Sequence, residues 1–109
     1  MTEDQLHIQV ADYLRALNIT FHHSANQARA GVAWHVKRKR MGMLPGVADI
    51  QLMLAYRVPH YIELKIEGGR QSKSQKIFQN LCYSLGYPYV VCRSIEDLTE
   101  TLKQWELIK

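Results

Sequence analysis

Two carboxylates and one amine in this chain are spaced as hydrolysis at a bound cation would require. Along Tyr61-Ile62-Glu63-Leu64-Lys65-Ile66 polar and apolar residues alternate. In a strand, Ile62, Leu64 and Ile66 then point to one face while Glu63 and Lys65 share the other. Asp49 opens a preceding apolar run just after Pro45-Gly46, and hairpin pairing of the two runs brings its carboxylate towards that of Glu63. A hard divalent cation such as Mg²⁺ favours this set, because one or two carboxylate oxygens, a backbone carbonyl and waters complete its shell and leave room for a substrate phosphate. Lys65 beside them is placed to hold or deprotonate an attacking water.

The triplet has a plainer reading. Six Glu and seven Lys among 109 residues yield roughly 0.4 Glu-x-Lys triplets by composition alone, and a cross-face ion pair accounts for one equally well. Context favours chemistry, since an unpaired charge in mid-strand is costly and a turn-positioned Asp precedes it.

The elements that must position these residues are legible from capping and periodicity. Thr2 and Gln5 form a capping box. Leu6, Val10, Tyr13, Leu14 and Leu17 then recur at helical spacing, predicting a helix over Glu3 to Leu17 with Ile8 off the stripe. Ile19 to His23 reads as a short strand, and Ala28 to Met41 as a basic helix ending at Gly42. After the Leu44-Pro45-Gly46 turn, Asp49 to Ala55 and His60 to Ile66 read as a hairpin.

Ser72 and Gln75 form a second capping box before Ile77, Phe78, Leu81, Cys82 and Leu85, with Gly86 as the stop. Tyr87 to Arg93 has the unbroken apolarity of a strand covered on both faces, which suggests a central position in the sheet. Ser94 caps a last helix whose stripe is Ile95, Leu98, Leu102 and Trp105. The order of elements implies an α/β fold with a mixed sheet, antiparallel at the hairpin and parallel across the strand-helix-strand crossover.

A chain of 109 residues, 47% apolar and 22% charged, is expected to form a single domain, and its composition excludes disordered and disulfide-stapled classes. Its apolar runs are too short to span a membrane. The acidic N-terminus lacks a signal-peptide layout, and Cys82 and Cys92 read as buried free thiols, so a reducing cytoplasm is expected. Net charge is +4, and from Tyr13 to Ala48 there is no acidic residue, while Arg15, Arg29, Lys37, Arg38, Lys39 and Arg40 fall within that window. An unmixed block of this kind suggests a polyanion partner, nucleic acid above all, rather than a solubility patch.

These residues resemble the virus-type replication and repair nuclease module, VRR-NUC, of the PD-(D/E)XK nuclease superfamily. Met41 to Ile50 is similar to the signature before that family's metal-binding Asp, and Ile62-Glu63-Leu64-Lys65 to its E-x-K strand. Gly69-Arg70-Gln71-Ser72 through Gln75 resembles its G-x-x-S-x-x-Q segment, and Gly86-Tyr87 with Val91-Cys92-Arg93-Ser94 its last strand. The first helix is similar too, with Glu3 where these nucleases often carry a further acid. Two departures stand out: Ala25-Asn26-Gln27-Ala28 where an Asn-Gly-Gly turn is common, and Val47-Ala48-Asp49 where a Pro often precedes the Asp.

The resemblance implies a PD-(D/E)XK fold, a central mixed β-sheet flanked by helices, and metal-dependent hydrolysis of DNA phosphodiesters. Asp49, Glu63 and the main-chain carbonyl of Leu64 would bind Mg²⁺ or Mn²⁺, and Lys65 would orient the water. Gln75 is either a supporting active-site group or simply the capping partner of Ser72. Glu3 is either a further ligand or an acid favoured by the helix dipole. Arg29, Lys37, Arg38, Lys39, Arg40, Lys73 and Lys76 would contact phosphates without reading bases.

His22, His23 and His35 read as phosphate-adjacent or surface groups rather than ligands of a hard metal, and Trp34 as a core residue or a base-stacking one. Dimeric, resolvase-like relatives suggest a homodimer acting on four-way junctions or flaps in DNA repair, in a bacterial or phage-infected host cell. The competing class is a non-catalytic nucleic-acid-binding module with the same fold, and RNA is the competing substrate.

Overall fold

The computed structural model describes residues 1–24 and 32–109. The first capping box forms, with Thr2 Oγ1 accepting the Gln5 N–H at 3.1 Å and Gln5 Oε1 accepting the Thr2 N–H at 2.7 Å. It starts helix α1 (Glu3–Ala16), which buries Leu6, Val10 and Leu14 completely and leaves Ile8 exposed. Strand β1 (Phe21–His23), helix α2 (Val32–Arg40), the hairpin β2 (Ile50–Leu52) and β3 (His60–Leu64), helix α3 (Lys73–Leu85), strand β4 (Tyr89–Cys92) and helix α4 (Ile95–Gln104) follow in the expected order. The expected start of the basic helix and Arg29 lie outside the described residues, as do the side chains of Trp34 and His35.

The sheet runs β1-β2-β3-β4, with the first two pairings antiparallel and β3 parallel to β4. Strand β4 is therefore an edge, not the centre its apolarity suggested. Its residues are apolar because helices cover both its faces: Val90 and Cys92 meet the core under α1 and α4, whereas Tyr89 and Val91 meet the one under α3. The sheet thus sits between two helical layers. Leu6, Val10, Leu14, Ile50, Leu52, Ile62, Leu64, Cys92, Leu98 and Leu102 fill the larger core, and Ala48, Phe78, Cys82 and Tyr89 the smaller one. Each buried leucine or isoleucine contributes about 1.5–3 kcal/mol, which fixes the order and faces of the strands that carry the polar groups. Both cysteines are buried free thiols.

Helix α3 departs from the expected stripe. Gln75, Phe78 and Cys82 face the sheet, while Ile77, Leu81 and Leu85 are exposed on another side. Phe78 and Cys82 on that side join the smaller core, and Gln75 bonds to Glu63. Gly86 ends the helix in the left-handed region at φ 77°, which a glycine adopts without strain. Among the described residues no helix is long and apolar enough to cross a membrane.

Candidate active site

The β2–β3 register pairs Ile50 with Ile62, and its next step sets Asp49 opposite Glu63. Asp49 sits at a bend just before β2, where its Oδ2 accepts the Leu64 N–H at 2.8 Å. That bond continues the hairpin by a side chain after main-chain pairing has ended. Asp49 is 6% exposed and Glu63 only 1%, so both carboxylates have left water.

Glu63 is held unequally. Its Oε1 accepts from Gln75 Nε2 at 2.8 Å, while Oε2, buried, has no hydrogen-bond partner among the described residues. An orphaned carboxylate oxygen inside a fold is unfavourable without compensation. Burial, then the negative charge of Asp49 and a side-chain hydrogen bond with it, push the Glu63 carboxyl up to about 8, against the opposing pull of Lys65 and of the Asp49 main chain. Tyr89 lies within the same field, its phenol raised by burial and by Glu63, and its hydroxyl receives Gln71 Nε2 at 3.0 Å.

Gln75 makes the expected capping bond and also reaches Glu63. Its Oε1 accepts the Ser72 N–H at 2.7 Å while its amide nitrogen holds Glu63, and it is 7% exposed. Helix α3 is brought to this place by Gly46, whose φ is 74° and where a Cβ would collide with the Ser74 main chain. The Asp49 loop and the start of α3 therefore touch backbone to backbone, a contact open to glycine alone. Lys65, half-buried, continues β3 through its N–H to the Cys92 carbonyl at 3.1 Å. Arg93 donates to the carbonyls of Ile66 and Gly69 at 2.9 and 2.8 Å, fastening the loop that follows.

One residue of the cluster was not among those the sequence singled out. His7, on α1, lies with Nε2 3.7 Å from Asp49 Oδ2 and Nδ1 3.2 Å from His23 Nε2. One ligand atom from each of His7, His23 and Asp49 falls within 4.8 Å of the others, so His23, exposed as a surface histidine is expected to be, also stands within reach of a shared cation. Glu3 precedes His7 by one turn on the same side of α1 and does not join this cluster. The only advance signal for His7 is that spacing of four residues from Glu3.

A cavity of about 860 Å³ runs from His22 and His23 past Arg38, Lys39 and Met43 to Gly46 and Ser74. Lys37, Lys39 and Arg40 are exposed at the end of α2, and Arg38 donates Nε–H to Met43 Sδ at 3.0 Å. Lys73 and Lys76 are exposed on the first turn of α3, which contains no acidic residue.

No family model matches the chain, and no curated protein sequence matches it. Solved structures are similar in fold. A VRR_NUC domain protein superposes with a TM-score of 0.73 at 24% identity, over 95% of this chain and 87% of that one. A VRR_NUC domain superposes at 0.65 and 15% identity, over 93% and 94%. Among the described residues, the four-stranded mixed sheet with helices on both faces is thus the fold of those VRR_NUC structures.

Proposed function

We propose that the chain is a divalent-cation-dependent nuclease that hydrolyses DNA phosphodiester bonds, acting as an endonuclease on branched DNA. The observation that carries this reading is Glu63 Oε2, a buried oxygen without a donor, beside Asp49. Two carboxylates from adjacent strands share a dry place, and a divalent cation is the partner that makes their joint ionisation favourable. The donor set fits Mg²⁺ or Mn²⁺, and the likeness in fold to VRR_NUC structures supports the reading.

Asp49, Glu63 and the Leu64 main-chain carbonyl would hold the ion. When bound, it supplies Lewis acidity at a phosphoryl oxygen and lowers the pKa of a water. Lys65 orients the attacking water and offsets charge on the pentavalent phosphorus, while Gln75 keeps Glu63 in its rotamer. Lys37, Arg38, Lys39 and Arg40, with Arg29 from the same basic stretch and Lys73 and Lys76 on α3, contact phosphates and position the DNA without reading its bases.

Two copies about a twofold axis would present two such centres to the two strands of a four-way junction. The exposed row Ile77, Leu81 and Leu85 is surface that such a pairing would bury.

The test is cleavage of single-stranded, duplex, flap and four-way DNA, and matched RNA, with Mg²⁺ or Mn²⁺. The parent should cut branched DNA only with the ion present, and Asp49→Ala and Lys65→Ala should bind it without cutting. Metal-independent cutting, or no cutting by the parent, would reject the reading; in the second case the chain is a binding module. Sedimentation showing a monomer with and without junction DNA would reject the pairing.

A further inference from the structure

The nitrogen side of the cluster gives the centre a character that its carboxylates do not. His7 Nδ1 and His23 Nε2 are 3.2 Å apart, with the rings edge to face at 5.0 Å. One of the two nitrogens must carry the shared hydrogen. If His23 donated it, the neutral His7 ring would carry its own proton on Nε2 and aim an N–H at Asp49 Oδ2. The observed 3.7 Å is too long for that hydrogen bond. A doubly protonated His7 would also aim an N–H across that gap, again too far for a hydrogen bond; in the neutral ring that donates from Nδ1–H, Nε2 turns a lone pair towards the carboxylate. Two electron-rich atoms then face one another across a gap that a small cation spans at ordinary bond lengths of about 2.0–2.2 Å to each. Asp49 Oδ2 is itself fixed by the Leu64 N–H, and His7, His23 and Asp49 each bring one ligand atom within 4.8 Å of the others.

We infer that His7 Nε2 is a ligand of the cation centre, that His23 fixes its tautomer from behind, and that the centre consequently prefers a first-row transition-metal ion such as Mn²⁺ to Mg²⁺. The inference rests on the cation site proposed above and adds to it the nitrogen donor. Mg²⁺ requires near-ideal octahedral oxygen coordination and sheds water reluctantly, whereas imidazole suits the transition ions. A histidine whose far nitrogen is hydrogen-bonded is a stiffer and more basic donor than a free one. His23, the outer partner, can therefore matter to affinity without touching the ion.

The test uses the full chain and the metals alone. Calorimetric titration should show Mn²⁺ binding at least ~10-fold tighter than Mg²⁺. His7→Ala should weaken Mn²⁺ by ~10-fold or more while changing Mg²⁺ little, and His7→Glu, restoring an oxygen donor, should bring the two affinities together. His23→Ala should weaken Mn²⁺ by ~10-fold with the ligand still present. Pulsed EPR of bound Mn²⁺ should show ¹⁴N coupling in the parent and lose it in both His7 variants; far-UV circular dichroism checks that each variant is folded.

If Asp49→Asn abolishes binding of both ions but the parent shows no ¹⁴N coupling, or if its Mn²⁺/Mg²⁺ ratio survives His7→Ala, the nitrogen ligand is rejected while the carboxylate site stands. If the parent binds neither ion, the inference falls together with the proposed site.

Discussion

Gln75 Nε2 donates to Glu63 Oε1 at 2.8 Å while the oxygen of the same amide caps the helix it belongs to. One side chain thus links the start of α3 to a buried carboxylate on β3, and the two tasks are separable by substitution. Gln75→Ala removes both and should lower stability by about 1–2 kcal/mol, the usual worth of a lost cap and a lost hydrogen bond. Gln75→Glu keeps the capping acceptor but presents a carboxylate where Glu63 had a donor. It should retain more of the cap's stability than the alanine variant while reducing cleavage about as much. Thermal melts read the first effect and single-turnover rates the second.

Glu63 makes the metal-free protein sensitive to alkali. Its carboxyl is pushed up to about 8 in the fold, against ~4.3 in an unfolded chain. Below the lower value both states are protonated and nothing is lost. As pH rises, the unfolded state ionises first, so stability falls until the folded carboxyl has also ionised. Between pH 5 and pH 8 the melting temperature of the metal-free chain should fall by ~10–15 °C. Glu63→Gln should flatten the slope, and saturating Mn²⁺ should restore the parent at pH 8. A slope that survives Glu63→Gln would show that other groups cause it.

Gly46 is indispensable for two reasons that a control separates. It has φ 74°, and a Cβ there would strike the Ser74 main chain, whereas Gly68 has φ 83° and open space around it. Gly68→Ala should cost only the left-handed penalty of about 1–2 kcal/mol. Gly46→Ala carries that penalty and must also part the Asp49 loop from α3. It should destabilise by at least ~1 kcal/mol more and abolish cleavage even at temperatures where the chain remains folded. Equal melting temperatures for the two variants would contradict this.

Binding of nucleic acid should be dominated by charge. Lys37, Lys39 and Arg40 are exposed together at the end of α2, and neutralising a phosphate contact on duplex DNA changes the slope of log affinity against log salt by ~0.9. Replacing all three by alanine should reduce that slope by about 2–3 and weaken unrelated sequences equally. Fluorescence anisotropy in a salt series without divalent cation measures this. An unchanged slope would remove α2 from the interface.

Much of this protein was legible in local pattern. Thr2 with Gln5 and Ser72 with Gln75 announce helix starts because a cap is made within four residues, and both boxes form. The alternation around Glu63 assigns it to the face opposite Ile62 and Leu64 because successive strand residues must diverge, and the hairpin register follows from the same rule.

What lay beyond reach depends on how elements turn and stack. The apolar Tyr89–Cys92 strand is an edge because α1, α4 and α3 cover its two faces, which a run of hydrophobic residues cannot distinguish from a central place. Ile77, Leu81 and Leu85 are exposed because α3 turns Gln75, Phe78 and Cys82 to the sheet instead. His7 reaches Asp49 only because α1 packs across the sheet beside the bend at Asp49. Periodicity specifies which side of an element is apolar, since that depends on neighbours three or four residues away. Which polar atoms then meet at the sheet's end is decided by long-range packing, and only the assembled fold holds that information.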